Sequence, residues 1–384
     1  MIVMAKLNEI QGCEVQLEGN LNMMQITPSQ LKEKLIILFE YIRKNADSLN
    51  IPIFIYGPPG VGKTEIIQSI GKELGMNVNV LIASMLDPSD IHGLPYLGKS
   101  KESDFFTTSK AESEKDKKYK DLFKNIVEWA PDKIWLKDFN KTNIYFFDEM
   151  NMARKEVLAP LYRVILEGKI GDVDISKSIR ISAGNRPEDF KEIKELSLPL
   201  ETRYEMYWVK PDRPSWIKWA TENNNNYKNA ENKDNLFYIN SLVLYYIDKG
   251  NIDPDSAYPL YCAASDERRA DIKATPRSWV RVSNILNAYM EKLELKDPAK
   301  LNAELNNNKK LSEEEKTKKF VENNKAIIDM IESQKLSVDI SGSVGYKIAK
   351  EFIDYIKKYL NGLKYISINK KIDDAFENKI KKVK

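Results

Sequence analysis

The chain reads as an α/β protein, a parallel sheet covered by helices, followed by a smaller all-helical domain. Three observations predict this. Continuous apolar runs such as Ile53-Phe54-Ile55-Tyr56 and Ile144-Tyr145-Phe146-Phe147 have the character of strands buried on both faces. Stretches with apolar residues at helical spacing alternate with those runs, the arrangement that yields a parallel sheet with helices packed on it. Beyond about residue 212 the strand signals fade and helical ones dominate, which places a domain boundary near Pro211. A chain of 384 residues is long enough to bury a core in each part.

Residues 1–30 read as an N-terminal extension and residues 31–211 as the α/β domain. From Leu31, the residues Leu35, Ile36, Leu38, Phe39 and Ile42 recur at helical spacing and predict a helix ahead of the first core strand. That strand, Ile53 to Tyr56, is bounded by Pro52 and a glycine-rich turn, and the helix after the turn places Ile66, Ile67, Ile70 and Leu74 on one face before Gly75 ends it. Further strands are expected over 78–82, 144–147, 179–183 and 204–209. The charged, Ser-rich run 99–120 predicts a surface insertion spanning about 98–128. In the helical part, 212–384, helices begin at Trp216 and Trp219. The low-complexity stretches 223–226, 306–308 and 309–319 read as surface loops, the last two within a polar insertion of about 297–335. The final lysines read as a solvated tail.

Composition narrows the function classes. With 60 Lys and Arg against 57 Asp and Glu the net charge is +3, far from the imbalance of a protein that coats nucleic acid. Cys13 and Cys262 match no metal or redox spacing, and His92 is the single histidine, which excludes multi-histidine metal sites and triads. No run approaches the ~20 apolar residues that span a bilayer, and the first residues lack the pattern of a signal sequence. A soluble cytoplasmic protein without a membrane role is expected.

The chemistry concentrates in two motifs. Gly57-Pro58-Pro59-Gly60-Val61-Gly62-Lys63-Thr64, followed by Glu65, has the G-x-x-x-x-G-K-T spacing of a P-loop. Its glycines let backbone N–H groups turn inward around phosphates at the start of a helix, Lys63 reaches the β- and γ-phosphates, and the Thr64 hydroxyl serves Mg²⁺. Asp148 and Glu149 end an apolar strand, where open α/β sheets gather ligand-binding groups. Asp148 is expected to hold Mg²⁺, and Glu149 to orient and polarise the water that attacks the γ-phosphate.

The order GPPGVGKT, SMLDPSDIHGLPYL, FFDEMNMARKEVLAPLYRVILEG, SAGNRPED, LPLETRYEMYWV and ATPRSWVRVSNIL resembles the MoxR family of AAA+ ATPases over about residues 31–286. The resemblance implies a three-layer AAA+ domain followed by a helical lid. It casts Asn185 as a polar sensor of the γ-phosphate, Arg203 as a finger reaching the ATP of a neighbouring subunit, and Arg277 as a second sensor in the first turn of a lid helix. Arg154, Arg163 and Arg186 are rivals for the finger. It further implies an insertion in which Tyr96 faces a pore, an extra hairpin over 169–178, and a terminal lid helix in 340–355. At the level of the whole protein it implies ATP and Mg²⁺ as cofactors, a homo-oligomer in the form of a hexameric ring, and remodelling or maturation of a partner containing a von Willebrand factor type A domain. Two other readings stand beside it: a nucleic-acid-associated motor akin to the GTP-using McrB subunit or helicase-like rings, and a nucleotide-gated scaffold with little turnover. Near-neutral charge argues against the first of these. The presence of Glu149, Asn185, Arg203 and Arg277 argues against the second, since a pure switch needs fewer of them.

Overall fold

The computed structural model describes residues 25–45, 52–98, 126–130, 135, 143–170, 173–186, 196, 201–229, 237–249, 257–261 and 274–363. The chain forms two compact units, one of residues 1–58 and 62–210 and the other of residues 59–61 and 211–384. The sheet of the first unit contains β1 (Gln25–Ile26), β2 (Ile53–Tyr56), β3 (Asn77–Ile82), β6 (Asn143–Asp148), β9 (Ile179–Gly184) and β10 (Glu205–Val209), in the order β1-β10-β2-β9-β6-β3. Every pairing is parallel. β2 and β9 are buried at every residue, and β6 at all but Asp148, as the strands of a parallel sheet are when helices cover both faces.

The first helix, α1 (Pro28–Lys44), starts three residues ahead of Leu31, because Thr27 and Gln30 form a reciprocal capping box with Pro28 at the first helical position. β1 pairs with β10 just before it, so residues from Gln25 onward belong to the sheet. α2 (Lys63–Leu74) follows the glycine turn, and Gly75 closes it in the left-handed conformation. A 3₁₀ turn (Ala83–Met85) and α3 (Pro88–His92) lead into the antiparallel pair β4 (Leu94–Gly98) and β5 (Ile126–Ala130). The insertion expected over 99–120 lies outside the described residues, as do both cysteines and the side chain of Tyr96. After β6, α4 (Lys155–Glu167) is followed by the two-residue strands β7 (Lys169–Ile170) and β8 (Val173–Asp174), paired antiparallel where a hairpin was expected.

The second unit is helical: α5 (Arg213–Asn229), α6 (Ser241–Lys249), α7 (Pro276–Lys292), α8 (Pro298–Asn307), α9 (Glu313–Glu332), α10 (Gln334–Val344) and α11 (Tyr346–Gly362). Its core gathers around Trp279, Tyr246, Phe352, Leu286 and Ile340. Three stretches expected as surface loops are largely helical, among them 306–308, where Asn306 and Asn307 end α8 and Asn308 caps it. The asparagine run 223–226 is helical, within α5. Asn224 is buried, its Nδ2 donating to the Ile239 carbonyl at 2.9 Å and its Oδ1 accepting the Ile239 N–H at 2.7 Å, so this composition reflects structural amides. Residues 309–319 are mostly the start of α9, opened by a Ser312–Glu315 capping box and anchored further on by buried Phe320, Ile327 and Ile331. The lid-helix region 340–355 is two helices, broken at Gly345. Among the described residues no helix is long and apolar enough to cross a membrane.

Candidate functional site

β9 lies between β2, which feeds the glycine loop, and β6, which ends in Asp148. Because all three run parallel, their C-terminal ends bring Gly57, Gly184–Asn185 and Asp148–Glu149 to one edge, where open α/β sheets bind ligands. Gly60 and Gly62 take φ of 75° and 100°, values that L side chains rarely adopt and that turn the loop's N–H groups toward its interior. Lys63 opens α2 and is 7 % exposed. Its ammonium donates to the carbonyls of Gly57 at 2.7 Å and Pro58 at 3.3 Å, and to Asn185 Oδ1 at 3.3 Å. A buried ammonium needs such acceptors, and those the loop supplies are weaker than phosphate oxygens.

The next residue, Thr64, donates its hydroxyl to Asp148 Oδ2 at 2.7 Å, while Asp148 Oδ1 accepts the Glu149 N–H at 2.9 Å. Glu149 takes φ 55° and ψ 32°, left-handed for a residue with a side chain. Its carboxylate accepts the Ser84 hydroxyl at 2.6 Å. Asn151, 5 % exposed in the 3₁₀ turn Met150–Met152, exchanges two hydrogen bonds with the backbone of Asn185. Asn185 Nδ2 also lies 3.7 Å from Met152 Sδ.

Lys63, Thr64, Asp148, Glu149 and Asn185 are therefore assembled in the first unit. Ser84, Asn151 and Gly184 join them and were missed in the sequence. The available signal was position: Ser84 follows β3 at the same sheet edge, Asn151 lies two residues past Glu149, and Gly184 immediately precedes Asn185.

Arg203 stands apart from this group. Arg203 is exposed just before β10, and no ion pair holds it among the described residues. Glu205 pairs with Ile53 and Trp208 with Tyr56, so Arg203 sits at the N-terminal edge of the sheet, at least roughly 10 Å along the strands from the level of the loop. Of its rivals, Arg154 is paired with Asp87 and Arg163 with Glu167. Arg277 is exposed in the first turn of α7, in the second unit, behind a Thr275–Ser278 capping box.

The donor set fits a Mg²⁺ ion. Thr64 Oγ1 and Asp148 Oδ2 are hard oxygens already in contact, and among the described residues no cluster of three or more His, Cys, Asp or Glu offers an all-protein cage. Mg²⁺ is held this way, by one or two protein oxygens together with substrate phosphates.

Residues 53–198 match the profile of the ATPase family associated with various cellular activities (AAA), so the first unit carries an AAA-type ATPase domain. Among curated proteins, the chain is similar to the Holliday junction branch migration complex subunit RuvB of Sulfurimonas denitrificans, with 30 % identity over 89 residues, covering 23 % of this chain and 26 % of that protein. The RuvB of Rippkaea orientalis is 40 % identical over 70 residues, 18 % of this chain and 19 % of that protein. The chain thus spans about a quarter or less of the length of these curated relatives. Among solved structures, a point mutant of Thermotoga maritima RuvB overlaps with a TM-score of 0.41 at 16 % identity, over 70 % of this chain and 65 % of that one. The Thermotoga maritima RuvB Holliday junction branch migration motor overlaps with a TM-score of 0.38 at 16 % identity, over 69 % and 63 %.

Proposed function

We propose that the chain is a Mg²⁺-dependent ATPase motor that works as a ring, each subunit hydrolysing ATP to drive remodelling of a partner. The observation that carries this is the convergence of Lys63, Thr64, Asp148, Glu149 and Asn185 at one sheet edge. Lys63 exchanges its loop carbonyls for the β- and γ-phosphate oxygens. Thr64 and Asp148 would hold Mg²⁺, which supplies charge neutralisation on those oxygens. Glu149 orients the attacking water and takes its proton as the new O–P bond forms and the bond to the ADP oxygen breaks. The Ser84 hydroxyl keeps the Glu149 carboxylate pointed, and Asn185 contacts the γ-phosphate beside Lys63.

In this reading Arg203, at the sheet edge opposite its own glycine loop, would serve a second copy, and Arg277 would act as the second sensor. A hexameric ring of MoxR type acting on a von Willebrand factor type A partner is supported by the order of motifs alone. A second reading is supported by the RuvB relatives: the same motor engaging branched or duplex DNA.

Steady-state hydrolysis of ATP and GTP by the full chain, across a protein dilution series and with or without duplex and four-way-junction DNA, tests both. ATP-selective turnover that rises with assembly supports the ring motor. Stimulation by DNA that weakens steeply with salt supports the second reading. Absence of ATP turnover at every protein concentration, with and without DNA, would overturn both.

A further inference from the structure

Asn151 lies two residues beyond Glu149 and is buried. Its Nδ2 donates to the Asn185 carbonyl at 2.7 Å, and its Oδ1 accepts the Asn185 N–H at 3.2 Å. A primary amide offers the same donor and acceptor as a peptide unit, so this side chain stands in for a strand residue. The register shows the need: β6 pairs with β9 as far as Phe147 with Ser182, after which the left-handed turn at Glu149 carries the β6 backbone away. On the other edge of β9, Tyr56 pairs with Gly184, and the Gly57 N–H donates to the Gly184 carbonyl at 3.3 Å. Without Asn151 the end of β9 would be held from that side only. Gly184 makes the approach possible, since a Cβ there would fall 2.5 Å from Asn151 Oδ1 and 2.9 Å from Phe54 Cζ. With its backbone fixed from both edges, Asn185 holds Oδ1 3.3 Å from the Lys63 ammonium.

We infer that Asn151 is a positioning residue for hydrolysis, locking the aim of the Asn185 side chain to the turn that carries Glu149. This rests on the reading of the pocket as a hydrolytic site. Nucleotide binding draws on the glycine loop and on Lys63, whose bonds to the Gly57 and Pro58 carbonyls do not pass through Asn151. Binding therefore survives loss of the lock, and turnover does not.

The test measures kcat, KM for MgATP and Tm for the full chain carrying Asn151→Ala, Asn185→Ala, both together, or Glu149→Gln. Asn151→Ala should lower kcat by about tenfold to a hundredfold, the cost of a misplaced reacting group, with KM within about threefold. In the Asn185→Ala background the same substitution should cost less than about twofold, because it acts through Asn185. Equal losses in both backgrounds, or a higher KM with an unchanged kcat, would overturn the inference. Asn151→Asp keeps the shape and the acceptor but turns a carboxylate oxygen toward the Asn185 carbonyl, and it should show the same split even if the alanine variant fails to fold. Glu149→Gln separates the two levels of the argument. If it turns over ATP like wild type, the hydrolytic reading falls and the inference with it; if it is inactive while Asn151→Ala is normal, only the inference falls.

Discussion

Glu149 holds a backbone conformation that costs a residue with a side chain about 1–2 kcal/mol, and its surroundings oblige it to. Its N–H is bonded to Asp148 and its carboxylate to Ser84, so the strain is spent on aiming one carboxylate across the sheet edge. Glu149→Gln keeps that shape and removes the base. Turnover should fall by about 10² to 10⁴, the usual worth of a general base, while equilibrium binding of a fluorescent ATP analogue stays near wild type. A binding loss as large as the turnover loss would assign Glu149 to holding nucleotide instead. Gly62 makes a complementary prediction. At φ 100° an alanine is strained by about 1 kcal/mol or more and disfavours the loop conformation that receives phosphate, so Gly62→Ala should weaken ATP binding at least about tenfold with a fall in Tm of a few degrees. The residues legible in the sequence were those whose chemistry lies in a local pattern: the loop glycines, Lys63, Thr64, and an acidic pair ending an apolar strand. Ser84 and Asn151 act on partners 65 and 34 residues away, and only the strand order, with β3 on one side of β6 and β9 on the other, brings those partners within reach.

Among the elements, β9 is tied to the end of α4 by a group that no motif announces. Arg180 is buried on β9 and donates to the carbonyls of Ile165 at 2.7 Å, Ser176 at 3.2 Å and Ile175 at 3.3 Å. Burial pulls its guanidinium down to about 10, against the opposing pull of Asp174, so it stays charged at neutral pH and completes the last turn of α4, where a cation is favoured. Arg180→Met should leave those carbonyls unsatisfied and cost about 2–4 kcal/mol, read as a lower urea midpoint. In the second unit, Tyr359 stacks on Tyr245 with centroids 3.7 Å apart, and burial raises both Tyr359 and Tyr355 to about 12. A raised folded-state value favours the protonated fold below the ordinary tyrosine range. Stability from these groups should therefore be intact below about pH 10 and lost between about pH 10 and 12, which a series of Tm measurements against pH would reveal. The sheet was legible because β2 and residues 144–147 of β6 are continuous apolar runs, a pattern with few alternatives, and because β9 alternates its apolar residues with Arg180 and Ser182. The asparagine and lysine runs were not, since composition alone cannot distinguish a solvated amide from Asn224, whose amide caps the backbone of Ile239.

For the whole molecule, the position of Arg203 sets the question of assembly. It is exposed before β10, at the sheet edge opposite its own glycine loop, so within one chain it cannot complete the pocket that Lys63 and Glu149 form. In the proposed head-to-tail ring, each heterologous contact would bring the N-terminal sheet edge of one subunit to the pocket of the next. Two variants with complementary defects then become informative. Glu149→Gln keeps the finger and lacks the base; Arg203→Ala keeps the base and lacks the finger, whose loss costs about 10³ to 10⁵ in rate. Each should be nearly inactive alone. Mixed in equal amounts and allowed to exchange, up to about a quarter of the contacts in a random ring join an intact base to an intact finger, and that share of wild-type hydrolysis should return. Its recovery would follow the time course of subunit exchange and vanish on dilution below the assembly threshold. A mixture as inactive as its parts, in particles shown by co-purification of differently tagged variants to contain both, would mean that Arg203 does not act across subunits.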